Sequence, residues 1–170
     1  MLTLVEQQLL SFGEHIVLAY VFCWLLYLFA YRRADSNSVT LTYLVLFSLL
    51  MSYITPYLYT YAVNNVGVVS KAVFHLAFCA IQILAMCVIR INHNYFRLKM
   101  SKMTLAVIYL YASQVFIHLI RLLEKVVFGT SELALFYTHA INTVNVMLLI
   151  VCVLCIVLPR VISSTNEEYL

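Results

Sequence analysis

The chain has 170 residues, 65% of them hydrophobic and 10% charged, with a mean hydropathy of +0.98. Soluble domains carry charge on about a quarter of their residues, so this composition excludes a soluble globular protein and points to a bilayer. The formal charge of +3 matters through where its cations lie, and nothing in it supports a nucleic-acid partner.

Five apolar stretches are long enough to cross a hydrocarbon core as helix, which takes roughly 17 to 25 residues. Ahead of the first, residues 1–14 place Leu2, Val5, Leu9 and Phe12 at helical spacing, which predicts an amphipathic helix on the outer membrane surface. The first span, 15–31, is the shortest and ends at Arg32-Arg33. It lacks the basic leader and small-residue cleavage site of a signal peptide, so it reads as retained. The second, 39–63, carries Ser48, Ser52, Thr55 and Tyr59 at steps of four, three and four. It also contains Pro56, whose ring removes a helical hydrogen bond and predicts a kink. The third, 68–89, carries Lys71, His75 and Gln82. The fourth, 103–128, contains SQVFIHLIRLLEK, with Gln114, His118, Arg121 and Lys125 at i, i+4, i+7 and i+11. The fifth, 133–158, carries His139, Asn142 and Asn145, and 159–170 form a tail.

Basic residues orient these spans. Seven (Arg32, Arg33, Arg90, Arg97, Lys99, Lys102 and Arg160) fall on one side and three (Lys71, Arg121, Lys125) on the other, which places the N-terminus outside and the C-terminus in the cytoplasm. His93 lies among the first group and reads as an interfacial anchor beside Arg90. Tyr53, Tyr57, Tyr59, Tyr61, Tyr95 and Tyr137 cluster at span ends, where their rings anchor at the headgroups. The expected fold is an all-α integral membrane protein: a single transmembrane domain, a five-span transmembrane helical bundle. The expected location is the inner (plasma) membrane of a bacterium.

The polar residues of spans two to five form stripes on otherwise apolar helices. An unpartnered amide or imidazole in hydrocarbon costs several kcal/mol, so the stripes turn toward each other. Depth sorts them into layers. Gln82, Gln114 and Asn145 fall near mid-membrane, His75, His118, His139 and Asn142 lie above them, and Lys71, Arg121 and Lys125 occupy the outer rim. The arrangement predicts a polar seam that widens into an outward-facing vestibule. Plain interhelical glue is the competing account of the same residues.

Catalytic signatures are missing from the sequence: there is no Gly-rich phosphate loop, HExxH pair or GxSxG, and the sole aspartate is Asp35. The five cysteines all sit inside apolar runs, and Cys152-Val-Leu-Cys155 lacks the polar flanks of a redox or metal pair. The expected function is non-enzymatic: a sensor, pore-forming or anchoring subunit of a membrane assembly, a class that includes defence and immunity proteins. A seam shared between protomers is better satisfied, so a homo-oligomer or another membrane or cytoplasmic protein partner is expected. A second reading is a small haem- or quinone-binding electron-transfer subunit, because paired histidines at equal depth hold b-type haem and His75, His118 and His139 meet that condition. No glycine lies within a span to admit a porphyrin, and only Ala72, Ala77 and Ala112 substitute. The same three imidazoles are the candidate metal ligands, with Glu124 the one acidic group near them; neither metal nor cofactor is the first expectation. A channel or transporter is the third reading, but residues 146–158 carry no polar side chain apart from thiols, which closes the path inward.

Overall fold

The computed structural model describes residues 4–31, 35–65 and 67–158, and among these the side chains of all but residues 4–14 and 71. The described residues form helices and no strand: α1 Leu4–Tyr31, α2 Ser36–Asn64, α3 Val68–Tyr95, α4 Lys102–Leu123, and α5 Ala134–Val157. A single π-turn, Glu124–Phe128, prolongs α4. Four of these, namely α2, α3, α4 with its π-turn, and α5, are long and apolar enough to cross a membrane. The apolar part of α1, His15–Tyr31, is shorter. The α1 backbone is helical from Leu4 through His15 without a break, so the expected surface segment and first span share one helix. The side chains on which the amphipathic pattern rests lie outside the described residues, as do Arg32, Arg33, the tail from residue 159, and the side chain of Lys71.

Local chemistry sets the helix ends. The Asp35 carboxylate accepts a hydrogen bond from the Ser38 amide at 2.8 Å, and the Ser101 hydroxyl accepts one from the Thr104 amide at 3.1 Å, so α2 and α4 each start on a side-chain cap. At its far end α3 runs six residues past the expected boundary at 89. It stops where Arg97 takes a left-handed conformation (φ 53°) and the Leu98 amide returns to the His93 carbonyl at 2.8 Å. Gly129, also left-handed at φ 65°, ends the π-turn and begins the short connection to α5. α2 remains helical on both sides of Pro56.

The helices close into a ring in chain order: α1 packs on α2 and α5, α2 on α3, α3 on α4, and α4 on α5, with α2 also reaching α4 across the middle. One end carries the α1–α2 and α3–α4 connections together with Arg90, Arg97, Lys99 and Lys102; it is here called the basic end. The opposite, hairpin end carries the short turns after α2 and α4. α1 presents Ile16, Tyr20, Cys23 and Tyr27 to the core, again at steps of four, three and four. They meet Leu41, Leu44, Ile89, Val107 and Cys152, which are fully buried. Tyrosine hydroxyls bind the ring together: Tyr20 donates to the Asn145 carbonyl at 2.7 Å and Tyr31 to the Ile156 carbonyl at 2.8 Å, both joining α1 to α5.

At the basic end the apolar core grades into a hydroxyl network. Ser36 Oγ lies 2.9 Å from both His93 Nε2 and Thr104 Oγ1, and it accepts the Ser101 amide at 3.0 Å. Thr40 Oγ1 is 2.7 Å from Thr104 Oγ1, and Ser101 Oγ donates to Asn37 Oδ1 at 2.5 Å. His93 Nδ1 sits 2.8 Å from the Ile89 carbonyl. His93 is 0% exposed, so it is a core residue that ties α2, α3 and α4 together and not the surface anchor its neighbours suggest.

Candidate functional site at the hairpin end

In the other half of the ring the helices border an open cavity of about 360 Å³ to which all five contribute. From α2 come Ser48, Ser52, Thr55 and Tyr59, the complete polar stripe of that helix, together with Pro56. Thr55 turns its hydroxyl back onto the Met51 carbonyl at 2.6 Å. Proline has no amide hydrogen, so the Ser52 carbonyl beside the cavity has no helical donor four residues on. α1 supplies Ile16, Val17 and Tyr20, and α3 supplies Phe74 and Phe78 above Gln82. Gln114 and His118 come from α4, and Tyr137, Thr138, Ile141, Asn142 and Asn145 from α5. Among the described side chains, no Asp, Glu, Lys or Arg lines the cavity.

An amide row borders the cavity at mid-depth. Gln82 Nε2 donates to Gln114 Oε1 at 2.8 Å, and Gln114 Nε2 donates to Asn145 Oδ1 at 2.7 Å, so three helices are joined head to tail. The row is polarised, because each amide's acceptor is used by its neighbour's donor until the Gln82 carbonyl is reached. Gln82 is 2% exposed and its Oε1 has no hydrogen-bond partner.

Nearer the hairpin end, His75 and His118 meet with their Nδ1 atoms 3.3 Å apart, and the Tyr137 hydroxyl is 3.2 Å from His118 Nδ1. A contact between two Nδ1 atoms requires one ring to present an unprotonated nitrogen to the other. Phe78 lies parallel to His118 at 5.2 Å between centroids. Only His118 of the two imidazoles reaches the cavity wall; His75 is buried behind it.

Arg121 and Lys125, the rim cations whose side chains are described, do not line the cavity. Arg121 is buried and ion-paired with Glu124 of the π-turn. Glu124 in turn accepts the Leu133 amide at 2.9 Å and the Thr130 hydroxyl at 3.2 Å, so the pair locks the α4–α5 turn. Lys125 donates to Ser131 Oγ at 2.6 Å within the same turn. His139 is exposed on α5 and does not join the other two imidazoles. Among the described residues, no group of three or more His, Cys, Asp or Glu side chains is placed to hold a metal ion. Of the residues expected along the seam, the structure therefore brings Gln82, Gln114, His118, Asn142 and Asn145 onto one cavity. His75, Arg121 and Lys125 sit beside it, and His139 stands apart.

Sequence reasoning missed the Ser36–His93 contact, where a serine hydroxyl meets an imidazole in a nucleophile–base arrangement. Both residues are sealed in packing and neither opens onto the cavity. The signal was present in the Asp35-Ser-Asn-Ser start of α2 and the Ser101-x-x-Thr104 start of α4, two capping sequences whose hydroxyls had to meet something at a buried helix end. No family model, curated protein or solved structure matches the chain.

Proposed function

We propose that the protein is a non-enzymatic, multi-pass membrane protein that acts as the sensing subunit of a membrane assembly by taking a small amphipathic molecule into the cavity of the hairpin half. The observation that carries this reading is the cavity itself. Its volume lies at the lower end of the range for small-molecule sites, about 300–1,000 Å³, and it is mainly apolar with a few convergent polar groups. On this reading α1 crosses beside α5 as a fifth span of a bacterial plasma membrane, and the excess of seven cations over three supports an outward hairpin end and an outward-facing cavity. The haem reading gains less from the geometry, because His75 and His118 use their facing nitrogens on each other and His139 is remote.

Two measurements test this. In a cysteine-free background, single cysteines at Asn65 and Ser131 are expected to label with an impermeant reagent from outside and one at Ser101 is not; the reverse pattern would turn the cavity inward. Native mass spectrometry of the chain released from membranes in mild detergent is expected to show a retained small adduct. The adduct is expected to be lost when Thr138→Trp fills the cavity. Wild-type protein free of any adduct, and indifferent to added amphiphiles in a melting assay, would remove the sensing role.

A further inference from the structure

α2 carries a second polar line, on the side turned away from the cavity. Tyr53, Tyr57, Thr60 and Asn64 follow steps of four, three and four, the spacing of the inward stripe Ser48, Ser52, Thr55 and Tyr59, but lie about 140° around the helix from it. All four are exposed, Tyr53 at 68% and Tyr57 at 63%. The rings of Tyr53 and Tyr57 touch, with centroids 5.5 Å apart, so the line is continuous at its deeper end. Everywhere else in the chain this spacing marks residues that face another helix.

Depth separates the line from an aromatic belt at the headgroups. α2 runs from Ser36 to Asn64, about 43 Å of helix against a hydrocarbon core of about 30 Å, and its midpoint is Leu50. With the helix centred in the bilayer, Tyr53 lies about 5 Å from mid-membrane and Tyr57 about 10 Å, both inside hydrocarbon. A helical side chain also leans toward the N-terminus of its helix, which for α2 is the basic end, so the Tyr53 hydroxyl is carried away from the nearer, hairpin-side headgroups. The headgroup anchoring expected of span-end tyrosines does not serve Tyr53. A hydroxyl turned to hydrocarbon is costly until it meets a partner.

A second copy of the chain supplies that partner. Two copies inserted the same way round are related by an axis along the bilayer normal, so each residue on the contact meets its own counterpart at equal depth. Such a contact needs groups that complement themselves. A hydroxyl both donates and accepts, as does a carboxamide, so tyrosine on tyrosine, threonine on threonine and asparagine on asparagine all pair, whereas a line of ammonium groups would repel its image.

We propose that α2 forms the contact between two copies of this chain, with Tyr53, Tyr57, Thr60 and Asn64 of one facing the same residues of the other. The proposal rests on the membrane assembly of the reading given above and names its partner, but it does not depend on what the cavity holds.

The test uses the full chain in lipid vesicles. In a cysteine-free background, single cysteines replace Thr60 on the proposed contact, Leu76 on α3 and His139 on α5, all exposed and all in the hairpin half. Oxidation is expected to link Thr60→Cys into dimers and to leave Leu76→Cys and His139→Cys monomeric. Energy transfer between separately labelled copies, followed as added lipid dilutes the protein, measures the association itself. The double variant Tyr53→Phe with Tyr57→Phe keeps both rings and removes both hydroxyls from each copy. Its dissociation midpoint is expected at a protein-to-lipid ratio about tenfold higher than that of the wild type.

Equal linking at all three positions would mean chance collision, and linking only at Leu76→Cys or His139→Cys would move the contact to another face; either result overturns the proposal. Energy transfer absent at every dilution overturns it too, and leaves the line to lipid or to a different protein. A double variant that associates as tightly as the wild type would overturn the hydroxyl pairing on which the choice of a second copy rests. The Thr60→Cys link and the wild-type association decide before any tyrosine is changed. None of these results touches the cavity, on which the retained adduct and its loss in Thr138→Trp report separately.

Discussion

The two halves of the ring use the same polar side chains for opposite ends. At the basic end, Ser36, Thr40, Ser101, Thr104 and His93 are all nearly inaccessible and hydrogen-bonded to one another across three helices. Every buried residue of α2 lies between Ser36 and Ser48. Past Ser48 the same helix carries Ser52, Thr55 and Tyr59 along the wall of an open cavity, and one amide carbonyl nearby is left without a partner. The residue types do not distinguish the two halves; the completeness of their pairing does. A closed network rigidifies, and a buried acceptor without a partner marks where pairing is incomplete.

The largest expected effect lies in the closed network. His93→Leu removes the bonds to Ser36 and the Ile89 carbonyl from the centre of the buried network, at a cost of about 2 kcal/mol. The check is unfolding monitored by helix content in detergent; a loss no larger than that of an exposed control such as His139→Ala would erase the contrast between the halves. Next comes Gln114→Leu, which breaks both bonds of the amide row. Interhelical bonds in membranes average about 0.6 kcal/mol, so a loss of about 1 kcal/mol is expected. Ligand-dependent stabilisation is expected to fall more than stability does, and equal losses would make the row mere glue.

A third expectation concerns Arg121. Because it is paired with Glu124 and does not line the cavity, Arg121→Gln and Glu124→Gln are expected to act locally, speeding hydrogen exchange at the Leu133 amide while leaving the affinity for added amphiphiles unchanged. A change in affinity with normal exchange would return Arg121 to the site. His139→Ala is expected to change neither quantity, since the side chain is exposed on α5.

Much of this was legible in the chain because polar groups in apolar helices have few partners besides one another. The stripes at steps of four, three and four keep one azimuth, and Gln114, His118 and Arg121 are all buried on one face of α4. Asn145 meets Gln114 because the two were at matching depth. His139 was misplaced by the same reasoning. At about 100° per residue, the two three-residue steps from His139 to Asn145 rotate it about 120° off the seam. Depth had been matched and azimuth had not. His93 was obscured by its neighbours, since Arg90, Arg97 and Lys99 announce an interface while α3 continues inside it for six residues beyond the expected end. The sequence marks where charge meets water, but not how deeply a helix end is buried by the helices beside it.

The two tyrosine hydroxyls that bind α1 to carbonyls of α5 also impose an order on biogenesis. During synthesis α1 emerges before α5, with a short apolar stretch and a stripe of Ile16, Tyr20, Cys23 and Tyr27 awaiting cover. The Asn145 and Ile156 carbonyls that hold it are among the later parts of the chain to leave the ribosome. α2 can shelter one side of that stripe early, but the ring cannot shut until α5 arrives. The shortest apolar stretch therefore stays open on one side until α5 is made, and Tyr20 and Tyr31 close that side.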